Sequence, residues 1–179
     1  MRRTNWFDRT FPAIADNGLL PGIIERLEGT PARLTEKVRK LSNDLVQEFP
    51  DDKWSIKKEI GHLTDLEPLW YERLLQIIDG NPKMRVADLT NRKTHEALHN
   101  AKSFNELIND FKKERKRLVS KLRSLQEGDL NKTSVHPRLG TPMRVIDLAW
   151  FVAEHDDHHI SEISNLLRVP GPHPTSPGG

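Results

Sequence analysis

The sequence predicts an all-α protein built as a four-helix bundle, and three observations carry that expectation. Apolar residues recur at helical spacing in four separate segments. Most segment ends carry glycine, proline or a capping residue. Leucine, lysine, glutamate and arginine dominate the middle of a chain that is 35% hydrophobic and 30% charged. A chain of 179 residues is long enough to bury one core without disulfides or a structural metal. The expected organisation is a single domain over residues 1–170 and a flexible Pro/Gly-rich tail at 171–179.

The first helical arm spans residues 19–47 and is interrupted once. Leu19, Leu20, Ile23, Ile24 and Leu27 share a face that stops at Gly29, and Thr30 with Pro31 has the form of an N-cap and a first helical position. Leu34, Val38, Leu41, Leu45 and Val46 continue beyond it. The second helix runs from Ser55 to about Asp79 on Ile56, Ile60, Leu63, Leu66, Trp70, Leu74, Ile77 and Ile78, closed by Gly80 and Pro82. Residues 80–102 are polar and weakly patterned. Ser103 with Glu106 then forms a capping-box signature ahead of Phe104, Leu107, Ile108, Phe111, Leu118 and Leu122, the third helix. Thr141 and Pro142 repeat the cap signature before the fourth, which carries Val145, Leu148, Val152, Ile163, Leu166 and Leu167 and stops near Pro170.

Composition excludes several classes of function. Twenty-eight basic and 26 acidic side chains leave a net charge of only +2, which gives no nucleic-acid footprint. The run Lys112, Lys113, Arg115, Lys116, Arg117, Lys121, Arg123 alternates with Glu114 between apolar positions and reads as a solvated helix face; a non-enzymatic binding module is the alternative it raises. The absence of cysteine removes a thiol nucleophile and a thiolate metal ligand, and fits a cytoplasmic protein. No stretch has the length or apolarity of a membrane span or a signal peptide.

Chemistry concentrates in His155, Asp156, Asp157, His158 and His159 of the fourth helix. At 100° per residue His159 falls inside the apolar stripe, His155 on its shoulder and His158 well round toward solvent. Residues at i and i+4 project from one face, so His155 and His159 form a candidate ligand pair for one ion, with a solvated charged face as the alternative. Asp156 lies near the middle of the stripe, where a carboxylate is costly unless it meets a histidine N–H, a metal or a backbone donor. Glu59 and His62 have the Glu-x-x-His spacing of di-iron bundles, but the fourth helix offers no matching second motif. His95-Glu96-Ala97-Leu98-His99 matches the His-Glu-x-x-His string of zinc proteases, though it lies in a short polar segment and short motifs recur by accident.

The segment Trp54 to Leu63, taken with His155 to His159 far downstream, resembles the DinB/YfiT-like superfamily over residues 19–168, and His136-Pro137-Arg138-Leu139-Gly140 looks like the loop preceding that family's last helix. The resemblance implies a four-helix bundle, often a homodimer, with zinc or nickel on three histidines. By position these are His62, His155 and His159. It thus supplies a third ligand that periodicity does not single out. Three neutral imidazoles leave coordination open for water or substrate, as in catalytic sites. Several relatives are thiol-dependent, so the leading expectation is a metal-dependent S-transferase that joins a low-molecular-weight thiol to a small electrophile. A metal-dependent hydrolase on the same histidines, with Asp156 or Glu67 as base, is the second, and the zinc-protease reading is the third.

Overall fold

The computed structural model describes residues 4–43, 45 and 53–168, and these are mostly helical. The helices are α1 (Leu20–Glu28), α2 (Thr30–Val38), α3 (Ile56–Ile78), α4 (Arg92–Glu96), α5 (Phe104–Arg123) and α6 (Val145–Leu166). Two short strands, β1 (Ser134–Val135) and β2 (Pro142–Met143), pair antiparallel. The bundle has four members: α3 packs on α5 and α6, and the α1–α2 arm packs on α5 and α6 from the other side.

The predicted boundaries hold best where the cap chemistry is strong. Ser55 accepts the Lys58 N–H, and Ser103 with Glu106 makes the full reciprocal capping box at the start of α5. The arm ends at Val38 rather than running to residue 47, and residues 46–47 lie outside the described residues. Its break falls at Gly29, which takes the cap position expected of Thr30. Pro31 has no N–H for the Leu27 carbonyl, which receives Arg115 Nη1 at 3.1 Å instead. The predicted start of the fourth helix is corrected: Thr141 and Pro142 belong to the β-ribbon, where His136 N–H donates to the Thr141 carbonyl at 2.9 Å. The cap is Arg144, whose N–H donates to the Asp147 carboxylate at 2.9 Å. The predicted stop at Pro170 and the tail at 171–179 fall outside the described residues, and α6 itself closes at Leu166.

The apolar interior divides in two. Leu34, Ile60, Leu63, Phe104, Phe111 and Ile163 represent one cluster; Leu27, Trp70, Leu74, Leu118, Val145 and Val152 represent the other. Between them, at mid-height on α3, α5 and α6, stand Glu67, Arg115, His155, Asp156 and His159, all buried. The N-terminal residues fold over α6 at the same height, and Trp6 lies 5.1 Å from both Phe151 and His155 by ring centroid.

Candidate metal centre

Glu67, Arg115 and Asp156 form one buried network. Arg115 Nη2 lies 2.6 Å from Glu67 Oε1 and 2.9 Å from Asp156 Oδ1, and Nη1 lies 2.5 Å from Asp156 Oδ2. Burial alone would lower the guanidinium's pKa, but Asp156 and Glu67 outweigh it and push it up, so the ion stays charged. Thr30 Oγ1 adds a hydrogen bond to Asp156 at 2.8 Å. Asp156 is therefore satisfied by arginine and a threonine hydroxyl, not by a histidine N–H, a metal or a backbone donor, and the two general-base candidates share the same guanidinium.

In the same turns of α6, His155 and His159 converge with His62 of α3. One ring nitrogen each from His62, His155 and His159 lies within 4.8 Å of the other two, and all three residues are buried. Hydrogen bonds orient two of the rings. His159 Nδ1 lies 2.5 Å from Glu59 Oε2, so the nitrogen donates to the carboxylate and Nε2 keeps its lone pair. Thr94 Oγ1 donates to Asp65 at 3.0 Å and lies 3.0 Å from His62 Nδ1, which makes His62 a donor there and likewise leaves Nε2 with the lone pair. His99 Nε2 closes this chain on Asp65 at 2.9 Å. His155 Nε2 lies 3.2 Å from His159 Nε2, while its buried Nδ1 has no hydrogen-bond partner among the described residues.

Such a cluster repels protons. Burial, reinforced by His159, drives the His62 pKa down to about 2; burial, with His159 and His62, holds His155 well below the ordinary histidine value. His62 and His155 are therefore neutral at ordinary pH, the form in which an imidazole can bind a metal. A tetrahedral ion with metal–nitrogen bonds of about 2.0–2.1 Å sets nitrogen–nitrogen separations near 3.3 Å. The 3.2 Å pair matches that spacing, and the donor set fits a borderline-soft divalent cation.

The histidines line one end of a cavity of about 380 Å³ whose walls include Trp6, Trp54, Leu66, Trp70 and Phe151. Trp54 stacks on His159 at 6.3 Å and lies 4.7 Å from His62. His158 departs from the projection that sent it toward solvent: Trp6 covers it at 5.6 Å, and it lines the cavity half-buried. The His95–His99 string does not form one helical face. Helix α4 ends at Glu96, Ala97 is extended, and His99 sits in a separate 3-10 turn, so the two imidazoles lack the geometry a zinc protease requires. Sequence reasoning considered Glu59 only for a di-iron motif and did not find Thr94 or Asp65; the Glu59–His62 spacing was the one available signal.

Comparisons with known proteins bear on the family and the fold. A family model described as the DinB superfamily matches residues 26–163. The fold is similar to that of YfiT from Bacillus subtilis, described as a probable metal-dependent hydrolase with an unusual four-helix bundle topology. The similarity has a TM-score of 0.71 at 19% identity and covers 89% of this chain and 93% of that one. No curated protein gives a significant match. Among the described residues, no helix is long and apolar enough to cross a membrane.

Proposed function

The chain belongs to the DinB superfamily, and from that premise we propose that it is a metal-dependent enzyme whose divalent ion, zinc or nickel, is held by His62, His155 and His159. The observation that carries the proposal is the convergence of three buried imidazoles in an aromatic-walled cavity. When bound, the ion supplies Lewis acidity that makes a ligated thiol or water a nucleophile near neutral pH.

The chain's own residues hold and orient. Glu59 and Thr94 fix the His159 and His62 tautomers, and Trp6, Trp54 and Trp70 crowd water away from the rings. The carboxylates around the site are committed: Glu59 to His159, Asp65 to His99 and Thr94, Glu67 and Asp156 to Arg115. That arrangement suits a nucleophile needing no carboxylate base, and with no cysteine in the chain the sulfur must come from a cosubstrate. Thiol transfer to a small electrophile is therefore the leading reaction. Hydrolysis is the second reading, favoured by the description of YfiT. The reading also carries a homodimer, which sedimentation velocity tests, and a cytoplasmic location, which cell fractionation tests.

The test is metal analysis of untagged protein. His155→Ala and His159→Ala should each abolish stoichiometric metal, while His158→Ala and His95→Ala keep it; equal loss in all four would refute the site. In the cobalt-substituted protein, glutathione, coenzyme A, bacillithiol or mycothiol should change the visible spectrum if sulfur ligates the ion. Metal-dependent ester or amide hydrolysis without thiol ligation would instead establish the second reading.

A further inference from the structure

The same cavity has a second chemical character away from the histidine nitrogens. Arg73 of α3 is only 2% exposed, and Arg138 reaches the cavity from the loop between β1 and β2. Neither guanidinium meets a carboxylate among the described residues. Arg73 spends Nε and Nη2 on the Arg85 carbonyl at 3.0 and 2.8 Å, and Nη1 on His136 Nε2 at 3.0 Å. Arg138 lies over the Phe7 and Phe151 rings at 5.3 and 6.0 Å, and its buried Nη2 has no hydrogen-bond acceptor among the described residues.

A desolvated positive charge without a counter-charge is costly, and two close together cost more. Burial lowers the Arg73 pKa to about 10, with Arg138 adding to the effect, so the group still carries its charge at neutral pH. His136 between them is neutral: burial, then Arg73 and Arg138, take its pKa to about 3. The one carboxylate on the cavity lining, Asp88, accepts hydrogen bonds from Thr90 and the Arg92 N–H, both outside the cavity lining. The wall is thus positive: among the described residues no carboxylate touches either guanidinium, and Glu72, which attracts Arg73 from a distance, is itself paired with Arg85.

We propose that the cavity takes a small organic anion, its carboxylate received by Arg138 and Arg73 and its apolar body laid against Trp6, Trp70 and Phe151 toward the three histidines. Guanidinium forks match a carboxylate's two oxygens, and charge-assisted bonds in a dry pocket are the strong ones. A volume of about 380 Å³ suits a molecule of one aromatic ring with a short acidic arm. This names the substrate class of the proposed enzyme and rests on that reading for its role in catalysis. The anion site itself does not require the metal.

Phenylacetate and phenylacetamide have the same shape and differ in charge. Their binding, followed by tryptophan fluorescence and calorimetry, should favour the carboxylate by on the order of tenfold, in metal-loaded protein and in protein stripped with a chelator. Arg138→Gln, at a half-exposed position, should erase the preference without changing metal content, and Arg138→Lys should retain part of it. A preference confined to the metal-loaded form would mean that the carboxylate ligates the ion, and would overturn the proposal. So would equal binding of the two compounds, or an unchanged preference in Arg138→Gln. Protein that binds no metal yet discriminates between them would keep the anion site and defeat the metal reading.

Discussion

Replacing Gly61 with alanine should destabilise the protein, against the ordinary trend. Gly61 lies inside α3, where a glycine-to-alanine change normally gains about 1 kcal/mol of helix propensity. Here an added Cβ would sit 2.3 Å from His99 Cγ, 2.4 Å from Nδ1 and 2.5 Å from Cδ2. That ring is buried and tied to Asp65 at 2.9 Å, so it has to move by about an ångström and give up the bond. Overpacking of this kind costs about 1–3 kcal/mol, and losing a hydrogen bond to a charged partner about 1.5–3 kcal/mol. Subtracting the propensity gain leaves a net loss of about 1.5–5 kcal/mol. Because Asp65 also holds Thr94, which orients His62, metal affinity should fall by about 10–100-fold. Gly22→Ala is the control: it lies in α1 with nothing within 4 Å of the new Cβ, and should gain up to about 1 kcal/mol. Urea denaturation of the stripped proteins and chelator competition for the metal measure both effects. A Gly61→Ala protein as stable as Gly22→Ala, with unchanged metal affinity, would refute the packing of His99 against α3.

Three further outcomes follow from the same interior. Arg115→Leu leaves two buried carboxylates without their cation and should cost about 3–5 kcal/mol in denaturation, whereas adding Glu67→Leu and Asp156→Leu should recover much of it. Glu59→Gln replaces the carboxylate that holds His159 Nδ1, and should weaken metal binding about 10–100-fold in chelator competition with an unchanged far-UV spectrum. His136 has a folded pKa of about 3 against 6.5 when free, so between those values the unfolded chain binds more protons. Stability then falls as pH drops through that window, by up to about 1.4 kcal/mol per pH unit from this group, and His136→Gln should flatten the slope of denaturation midpoint against pH.

The fold was legible because the long helices carry their own signals: Ser103 caps with Glu106 as the sequence announces, and the 3.6-residue stripe locates α3, α5 and α6. The i, i+4 pair His155 and His159 was legible for the same reason, since both positions lie on one helix. What a single helix cannot show is which side chains other elements bring. His158 projects away from the stripe and is covered only because Trp6 folds back over α6 from a distant part of the sequence. Asp156 lies within the stripe as expected, but its partner, Arg115, stands in a run of cations that reads as a solvated face; one member of that run turns inward. Thr141 and Pro142 have the letters of a helix start, but Thr141 gives its carbonyl to the His136 N–H next to β1, Pro142 begins β2, and α6 is capped at Arg144 by the Asp147 carboxylate.

One guanidinium joins four parts of the bundle: Arg115 on α5 holds Glu67 of α3, Asp156 of α6 and the Leu27 carbonyl that Pro31 leaves unclaimed at the end of α1. In the same turn of α6, His155 faces the opposite task. The helices are thus brought to register by a cation that is part of the polypeptide and cannot be lost to a chelator. On the proposed reading, the scaffold around the three histidines is therefore held by the chain's own charges, and an ion would be received by a bundle that does not need it to assemble.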